Sequence, residues 1–503
     1  MRPAHFAILL LSTATLAPAS AAEERSSGTL AAGTRWETGW YMIQSDVPGP
    51  TVLITGGIHG DEPAGAQAAE QIRHWPILKG RLIVIPRANV PGLKANKRLM
   101  PGVKEEENNL NRDFPKAGNE AGTEAKGEIA KELWTFVSGQ HPDWVIDLHE
   151  GFDFHEAESD SVGSSIIDSN SEAANAAAPA MLAAVNAPIK DAKRRFVNLG
   201  PPVDGSLARA AAEHLGASAM ILETTSKDQP LSLRTRQQRT MVRQFLTGLG
   251  MLSAETPPGI ITPPRSGTAP RVAIYDDKGT GGGQAGLEAA LATVPGSLAW
   301  RVGAEDIQDG ALAGFDLVIF PGGSGSSEAK ALGEKGREQV KHFVEGGGGY
   351  TGICAGAYLA ASNYDWSLGF SNQRTFAEMR EIPGEGQKSM WFRGDSATVT
   401  MELSEAGKQI LGDHPGELPV IYHNGPIIPP LKEGEQPTYE VLAWFRSETS
   451  QYEAQKGTMT GTPAMISAHY GKGRVLVISP HPEASKALRP MLTKGLLWAA
   501  GKE

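Results

Sequence analysis

Two histidines and a glutamate in the first half of the chain follow apolar runs in a pattern that suits a metal ion. His59 and Glu62 come shortly after the apolar residues 52–54, and His149 comes shortly after residues 144–146. Residues three apart can face one ion from a turn that leaves a strand, and α/β sheets gather their ligands at strand ends. Zinc sites with imidazole and carboxylate ligands commonly keep one position open for water. The spacing therefore predicts a zinc site formed by His59, Glu62 and His149.

The chain has a single cysteine, Cys354, which lies between two glycines in the sequence G-I-C-A-G. A strand, a tight turn and a helix around a nucleophile form the context of a nucleophile elbow, and the helix N-terminus favours the thiolate. His481 follows a later apolar run and could activate the thiol, while Glu483 could orient the imidazole. His423 is a second candidate base, but it lacks the carboxylate that follows His481 two residues on. The pattern predicts a triad of Cys354, His481 and Glu483.

Two backbone N–H groups near the cysteine suit an oxyanion hole. Gly323 ends the sequence F-P-G-G after a predicted strand, and Ala355 directly follows Cys354. A pair of N–H groups that point at one oxygen stabilises the negative charge that develops during acyl transfer. The glycine-rich residues 278–283 also follow a predicted strand, and we expect this stretch to line the cysteine pocket, because a lone glycine-rich loop is usually a turn.

The elements that must position these residues alternate between strands and helices in both halves of the chain. Apolar runs predict strands at residues 51–55, 81–85, 144–148, 219–222, 271–275, 317–320 and 475–478. Helical patterns occur at residues 124–137, 172–185, 207–214 and 333–344. This alternation is typical of layered α/β folds. We therefore predict an α/β fold class with two domains.

A proline-rich stretch separates the two halves. Residues 256–270 contain five prolines, which predicts a stiff, extended linker. We place the first domain at residues 35–252, the linker at 253–269 and the second domain at 270–503. The polar residues 23–33 are expected to form a mobile leader.

The N-terminus and the overall charge indicate where the protein works. Residues 1–22 combine Arg2, a short apolar run and a small-residue cleavage site, the layout of a secretory signal peptide. No later apolar run reaches about 18 residues, so no transmembrane segment is expected after cleavage. The formal net charge is −10 without a basic block, which argues against nucleic-acid binding. We expect an exported protein, periplasmic or secreted.

Three motifs in the first half resemble the zinc carboxypeptidase family. These are G-G-I-H-G-D-E at residues 56–62, N-L-N-R-D-F-P at residues 109–115 and D-L-H-E at residues 147–150. The similarity is closest to the succinylglutamate desuccinylase/aspartoacylase-like branch, which includes murein peptide amidases. It implies a three-layer α/β domain with a mixed sheet. It also implies one Zn²⁺ per chain, with the metal ligands falling on His59, Glu62 and His149.

The same resemblance implies how substrate is bound. The family's substrate-carboxylate pair falls on Asn111 and Arg112, and a guanidinium suits a carboxylate because it can form two parallel charge-assisted bonds. A further arginine of the family matches Arg98, with Lys94 and Lys97 as competing positions. The family's aromatic capping tyrosine has no clear counterpart, which favours the deacylase or murein-peptide branch over trimming of C-terminal residues.

The family also uses a glutamate at a strand end as its general base. Glu223, at the end of the run A-M-I-L-E, matches it and could move a proton from water to the leaving nitrogen. Glu150, beside His149, is the rival. Adjacent strand residues point to opposite faces, so Glu150 should point away from the metal, and we favour Glu223.

The second half resembles the class I glutamine amidotransferase superfamily, in particular the domain at the N-terminus of some biotin–protein ligases. The motifs F-P-G-G, G-I-C-A-G and H-P-E carry the similarity, in that order, over about residues 270–500. The resemblance implies a flavodoxin-like sheet and a triad of Cys354, His481 and Glu483. No G-x-x-x-x-G-K-[ST] loop is present to bind ATP, so amide hydrolysis is expected rather than ammonia transfer.

Together these features predict an exported zinc-dependent hydrolase with a second, amidase-like Cys-His-Glu domain. The expected substrates are small acyl-amino acids or peptides with a free carboxylate, and export makes cell-wall peptides a reasonable pool. The alternative is a peptide-binding protein in which one or both domains lack catalytic activity, because a fold does not by itself imply a function.

Overall fold

The computed structural model describes residues 23–116, 118, 124–255, 259–265 and 267–503. Its first part is built on an eight-stranded mixed sheet. The strands are β1 (Glu23–Leu30), β2 (Thr38–Ser45), β3 (Thr51–Gly56), β4 (Arg81–Ile85), β5 (Trp144–Gly151), β6 (Ser165–Asp168), β7 (Val197–Leu199) and β8 (Ser218–Thr225). They lie in the order β1-β2-β4-β3-β5-β8-β6-β7. Strands β3, β5 and β8 run parallel to one another, so their carboxyl ends meet at one edge.

Helices cover both faces of this sheet. They are α1 (Pro63–Ile72), α2 (Val90–Ala95), α3 (Glu128–Gly139), α4 (Glu172–Asn186), α5 (Leu207–Leu215) and α6 (Leu231–Gly248). Apolar side chains of α1, α4 and α6 pack in one core with strand residues such as Val52 and Ile54. Helices α3 and α5 pack in a second core with Leu53 and Ile83. Neighbouring strand residues thus supply opposite faces, which gives the three-layer α/β arrangement.

The predicted mobile leader at residues 23–33 is wrong. Residues 23–30 form β1, which pairs antiparallel with β2 from Glu23 opposite Ser45 to Leu30 opposite Thr38. The sheet therefore begins before residue 35, the predicted start of the domain. The polar composition misled the sequence reasoning, because charged and polar residues are also how an edge strand resists pairing with other chains. The predicted signal peptide, residues 1–22, lies outside the described residues.

The second part of the chain is built on a nine-stranded sheet with two small ribbons beside it. The strands are β9 (Arg271–Tyr275), β10 (Thr280–Gly282), β11 (Leu298–Val302), β12 (Leu317–Phe320), β13 (Gly322–Gly323), β14 (Gly349–Ile353), β15 (Met379–Ile382), β16 (Gly386–Ser389), β17 (Ala397–Leu403), β18 (Leu418–Tyr422), β19 (Tyr439–Phe445), β20 (Pro463–Tyr470) and β21 (Gly473–Ile478). The main sheet has the order β11-β9-β12-β14-β21-β20-β19-β17-β18, and the ribbons are β10-β13 and β15-β16.

The second sheet has a parallel region and an antiparallel region. Strands β11, β9, β12, β14 and β21 are parallel, as in a flavodoxin-like arrangement. Strands β20, β19, β17 and β18 extend it with antiparallel pairs. The prediction of two α/β domains is confirmed, and the antiparallel extension is an addition that the sequence reasoning did not foresee.

Helices cover both faces of the second sheet as well. They are α7 (Gln284–Leu291), α8 (Ala304–Gln308), α9 (Gly325–Glu345), α10 (Ala355–Leu359), α11 (Glu405–Leu411) and α12 (Arg489–Ala499). Apolar residues of α7, α11 and α12 fill one core, and those of α8, α9 and α10 fill the other. Helix α9 begins eight residues before the predicted start at Gly333. The helix is kinked at Gly333, whose backbone φ is 60°.

Helix α6 of the first domain contacts the second domain through polar side chains. Arg236 and Arg239 both pair with the buried Asp306, at 2.9 and 2.6 Å. The Ser232 N–H donates to Asp276, a residue that follows β9. The predicted linker is also anchored, because the Trp75 indole donates to the carbonyl of Gly259 at 2.9 Å. The two domains are therefore packed together rather than joined by the linker alone.

Within the described residues, no helix combines the length and the apolar character needed to span a membrane.

Candidate active sites of the two domains

The three predicted metal ligands come together at the carboxyl edge of the first sheet. His59 lies in the turn after β3, Glu62 precedes α1, and His149 lies on β5. One nitrogen or carboxylate oxygen from each lies within 4.8 Å of the other two. All three side chains are buried, and His149 Nδ1 is 3.0 Å from a carboxylate oxygen of Glu62. Two imidazoles and one carboxylate in a buried cluster fit Zn²⁺.

Two further residues fix the orientation of His149. Asp147 lies two residues earlier on β5, on the same face, and its carboxylate is 2.9 Å from His149 Nε2. The Gln238 amide of α6 donates to the His149 carbonyl at 2.8 Å. A carboxylate behind a histidine sets its tautomer and leaves the other nitrogen free for a metal. Sequence reasoning did not assign a role to Asp147, although its spacing from His149 could have revealed it.

The electrostatics of the cluster is dominated by burial and close charges. Burial lowers the pKa of His59 to about 4, so its imidazole is neutral at pH 7. Burial would lower the pKa of His149 too, but Asp147 and Glu62 raise it well above its ordinary value. Burial alone would raise the pKa of Glu62, but His149, His59 and Arg98 lower it to about 2. Binding a metal must therefore displace a proton from His149.

Glu223 lies beside this cluster on the neighbouring strand. In the parallel pair of β5 and β8 it is the register partner of His149, so the two side chains share one face. Its Oε2 atom is buried and has no hydrogen-bond partner in the described part of the chain. Burial raises the pKa of Glu223 to about 8; His149 opposes this increase and Glu62 adds to it. A carboxyl group held in this way is suited to taking up and releasing a proton near neutral pH.

Glu150, the rival base, is occupied by other contacts. Its carboxylate is paired with Arg234 of α6 and accepts a hydrogen bond from the Ala64 N–H at 2.8 Å. These partners lie at the start of α1 and on α6 rather than among the metal ligands. Its backbone N–H donates to Glu62 at 3.0 Å. Glu150 therefore holds the two helices and a ligand in place.

The predicted substrate-binding residues lie beside the cluster. Arg98 contacts the Glu62 carboxylate and leaves 51% of its side chain exposed, whereas no contact to Glu62 is seen for Lys94 or Lys97 among the described residues. Arg112 donates to the Asn111 carbonyl at 2.7 Å, and the Asn111 Oδ1 atom is buried without a partner among the described residues. Burial and the nearby Arg98 lower the pKa of Arg112, so the two guanidinium groups share one region. Such a region suits a substrate carboxylate.

Cys354 lies at a tight turn between β14 and α10. Its backbone has φ 51° and ψ −96°, a left-handed conformation that is rare for residues other than glycine and that is often found at functional sites. The flanking glycines are required by close packing: a Cβ on Gly352 would lie 2.3 Å from the Gly356 carbonyl oxygen, and one on Gly356 would lie 2.2 Å from that of Phe320. Helix α10 has only five residues, so its dipole supports the thiolate less than the sequence suggested.

His481 and Glu483 follow β21, on the strand next to the cysteine. His481 Nδ1 is 2.7 Å from the Glu483 carboxylate, and Glu483 is buried. His481 Nε2 is buried and has no hydrogen-bond partner among the residues that the structure describes, and the Cys354 thiol donates to the His423 carbonyl at 3.3 Å. Burial would lower the pKa of His481, but the nearby Cys354 and Glu483 raise it to about 10. The imidazole is therefore positively charged at pH 7.

The other residues predicted around the cysteine also have defined positions. The His423 ring is exposed and lies 2.9 Å from the Ser396 hydroxyl; within the described residues no carboxylate is bonded to it as Glu483 is to His481. Gly323 lines the cavities around Cys354, and Ala355 begins α10 directly after it. Residues 281–283 of the glycine-rich stretch line the same space. The arrangement can support nucleophilic attack by a thiolate.

Two family models cover separate parts of the chain. Residues 48–249 match the succinylglutamate desuccinylase/aspartoacylase catalytic domain. The first domain is similar to this family over most of its length. Residues 312–495 match the N-terminal domain of biotin–protein ligase. The predicted resemblances to the succinylglutamate desuccinylase/aspartoacylase branch and to the N-terminal domain of biotin–protein ligases are confirmed, and the first of them indicates a hydrolase of the zinc carboxypeptidase/deacetylase type that acts on amide bonds. The wider assignment of the second domain to the class I glutamine amidotransferases stays a prediction.

Two relatives each match part of the chain. A stretch of 124 residues is 38% identical to the N-alpha-acetyl-L-2,4-diaminobutyric acid deacetylase of Halomonas elongata, covering 23% of this chain and 34% of that protein. A stretch of 185 residues is 27% identical to the biotin–protein ligase of Schizosaccharomyces pombe, covering 35% of this chain and 27% of that protein. The chain thus spans about a third of the length of these relatives.

Solved structures also overlap with part of the chain. The mDAP-bound form of Helicobacter pylori Csd4, a D,L-carboxypeptidase, is 23% identical over 41% of this chain and 52% of that chain, with a TM-score of 0.34. The product-bound ectoine utilization protein EutE (DoeB) of Ruegeria pomeroyi is 24% identical over 43% of this chain and 62% of that chain, with a TM-score of 0.32. At these TM-scores the similarity supports no statement about function.

Proposed function

We propose that this protein is a zinc-dependent amide hydrolase that acts on small acyl-amino acids or peptides with a free carboxylate. The observation that carries the proposal is the buried cluster of His59, Glu62 and His149, with Glu223 as the strand neighbour of His149. Arg112 and Arg98 add positive charge beside the cluster, where a substrate carboxylate would be held. The deacetylase relative acts on an N-acetylated amino acid by its name, which supports this substrate class.

Each residue near the cluster has a distinct part in this mechanism. His59, Glu62 and His149 would hold one zinc ion, and Asp147 keeps His149 in the required tautomer. When bound, zinc would supply Lewis-acid chemistry, which polarises a carbonyl group and makes water more acidic. Glu223 would accept a proton from the attacking water and transfer it to the leaving nitrogen. Positive charge at the metal ligands would lower the pKa of Glu223 and favour its carboxylate form, whereas burial raises this pKa.

The guanidinium groups would set the position of the substrate. Arg112 can bind a terminal carboxylate through two parallel bonds, whereas the Asn111 Oδ1 atom, which has no partner among the described residues, can accept a hydrogen bond from an N–H group of the substrate. Such contacts fix the scissile bond relative to Glu223, and positioning of this kind lowers the activation barrier. A substrate whose carboxylate is amidated would lose the pairing with Arg112.

The location and the second domain complete the proposal. The signal-like residues 1–22 support export, and an exported enzyme with these preferences would meet cell-wall peptides. In the second domain, Cys354 would act as a nucleophile, His481 as the charged partner that stabilises its thiolate and gives a proton to the leaving amine, and Glu483 as the group that orients the imidazole. The strained elbow and the 2.7 Å contact between His481 and Glu483 support this role.

The proposal is tested by metal content and substrate preference together. The purified chain should contain one zinc ion, and chelation followed by addition of zinc should abolish and restore hydrolysis of N-acetyl amino acids and short peptides. The matched control is the same panel with the C-terminal carboxylate amidated, which should be cleaved much more slowly. A chain that binds these peptides but contains no stoichiometric zinc and does not cleave them would instead be a peptide-binding protein.

A further inference from the structure

The space around Cys354 consists of two cavities that meet at the thiol. The first, which we name the aromatic lobe, has a volume of about 570 Å³ and is walled by five aromatic residues. They are Tyr358, Tyr364, Trp366, Trp391 and Phe392. The second, the glycine lobe, has a volume of about 500 Å³ and is formed largely by the backbone of residues 281–283 and of Gly322 and Gly323. Cys354, Gly323 and His423 line both lobes.

The aromatic lobe lacks charged side chains. Among the described residues that line it there is no lysine, arginine, aspartate or glutamate. Among the described residues that line the glycine lobe, the one carboxylate is Glu483, and it is bonded to His481. Arg393 is buried nearby, but its guanidinium bonds to the Thr449 carbonyl and to Thr458, and it does not line either lobe.

A free amino acid such as glutamine carries an ammonium and a carboxylate, and each would need an ionic partner on leaving water. Among the described residues that line the aromatic lobe, partial positive charge comes from the N-terminus of α9, at Ser324 and Gly325. One helix terminus gives a carboxylate less stabilisation than a guanidinium and gives an ammonium none. The aromatic lobe therefore disfavours a charged substrate.

The aromatic side chains form flat apolar surfaces close to the nucleophile. Tyr364 and Trp366 are stacked with ring centroids 4.5 Å apart and an interplanar angle of 12°. Trp391 and Phe392 remain 45% and 38% exposed, although large apolar side chains are usually covered. Exposed apolar surface that is grouped around a cavity marks a binding site. Rings of a ligand stack on such surfaces in offset or edge-to-face arrangements.

We propose that the Cys354 site takes an uncharged amide with an aromatic ring on one side of the scissile bond, and not free glutamine. This inference rests on the proposed role of Cys354 as a nucleophile. The thiolate bonds to the amide carbon, the C–N bond breaks, and the amine leaves with the proton held by His481. Water then adds to the thioester carbon, and the C–S bond breaks. The products are an amine and a carboxylic acid, and the thiol is restored.

The experiment compares alkylating reagents that differ only in the attached group. The full-length, zinc-containing chain is treated with iodoacetamide, N-benzyliodoacetamide or iodoacetate, and each rate of Cys354 labelling is divided by the rate with N-acetylcysteinamide. The benzyl reagent should be favoured about tenfold over iodoacetamide, because ring stacking contributes roughly that much binding. Iodoacetate should show no advantage, and L-glutamine should not protect the thiol, whereas phenylacetamide should.

Substitutions in the aromatic lobe test whether its side chains cause the preference for the benzyl reagent over iodoacetamide. Trp391→Ala, at an exposed position, should remove most of the ratio between the benzyl reagent and iodoacetamide, and Tyr364→Ala should reduce it in the same way. The matched control is Phe152→Ala, which removes an exposed aromatic ring of the first domain and should leave the ratio as it is.

One set of results would contradict the proposed substrate class, and another would contradict the role of Cys354 as a nucleophile. Fast labelling that depends on His481 but shows no benzyl preference, or protection by L-glutamine, would contradict the substrate class while leaving the nucleophile in place. Protection by N-acetylglucosamine but not by phenylacetamide would contradict the aromatic class in favour of a sugar. Labelling no faster than that of N-acetylcysteinamide, and unchanged by His481→Ala, would overturn both the nucleophile and the substrate class that rests on it.

Discussion

The two sites of this protein occupy the same position in similar folds, yet their chemistry differs in almost every respect. Both lie where parallel strands end: β3, β5 and β8 in the first domain, and β12, β14 and β21 in the second. The first site groups buried ionisable residues and is flanked by guanidinium groups. The second has a single nucleophile and a cavity walled by neutral aromatic side chains. The shared fold type positions both sites at the carboxyl ends of parallel strands, and the charge of each pocket determines which substrates it can bind.

The largest effect is expected from removing a metal ligand. His149→Ala should lose zinc and the hydrolysis of substrates with a free carboxylate, because two remaining ligands hold the ion poorly. The fold should survive, since His149 lies at a strand end rather than inside an apolar core. Metal analysis and circular dichroism of the purified variant check this. Stoichiometric zinc in His149→Ala would mean that the ligands are assigned wrongly.

Removing the proposed base should separate chemistry from metal binding. Glu223→Gln should keep zinc and lower kcat by about 10²–10⁴-fold, because an amide cannot accept the proton of water. The matched control is Glu150→Gln, which weakens the contact to Arg234 and should mainly reduce thermal stability. Steady-state kinetics and thermal unfolding of both variants distinguish the two roles. If Glu150→Gln stopped turnover and Glu223→Gln did not, the base would be Glu150.

A smaller effect is expected from the substrate-binding arginine. Arg112→Ala should raise KM about 10–100-fold for substrates with a free carboxylate, because charge-assisted hydrogen bonds are lost. The same substitution should change little for substrates whose carboxylate is amidated. Comparing the two substrate series in wild type and variant gives the result directly. Equal losses in both series would show that Arg112 does not bind the carboxylate.

In the second site, charge on His481 should accelerate thiol alkylation. The pKa of His481 is raised to about 10 from its ordinary value of 6.5, so the imidazole is positive at pH 7 and loses its charge as the pH rises through about 10. A positive group beside the thiol favours the thiolate. Cys354 should therefore react with iodoacetamide at pH 6.5 about tenfold faster than N-acetylcysteinamide, and His481→Ala should remove most of this advantage. The rate as a function of pH, measured in both proteins, checks it.

The sequence predicted the parts of these sites that local patterns determine. Apolar runs followed by polar residues placed His59, His149 and Cys354 at strand ends, and the alternation along a strand distinguished Glu223 from Glu150. The same alternation, applied to Asp147, would have identified the carboxylate behind His149. These features follow from periodicity and backbone geometry, which a single sequence carries.

Features that depend on distant segments could not be predicted in this way. The aromatic lobe combines α10, the loop after it and the segment that follows β16, and no periodic pattern links Tyr358 to Trp391. The polar residues of strand β1 predict a leader, and the pairing of this strand with β2 leaves no local signal in the sequence. The contacts of α6 with Asp306 and Asp276 likewise arise only when two separate domains pack.

The independence of the two sites is tested most directly by crossed inactivation of one preparation. Chelation of zinc should abolish hydrolysis of substrates with a free carboxylate and leave the rate of Cys354 alkylation unchanged. Alkylation of Cys354, or Cys354→Ala, should leave that hydrolysis intact, since the thiol contacts neither α6 nor the metal ligands among its described hydrogen bonds. If blocking Cys354 abolished the zinc-dependent activity, the two sites would form one functional unit, and the account of two separate chemistries would be contradicted.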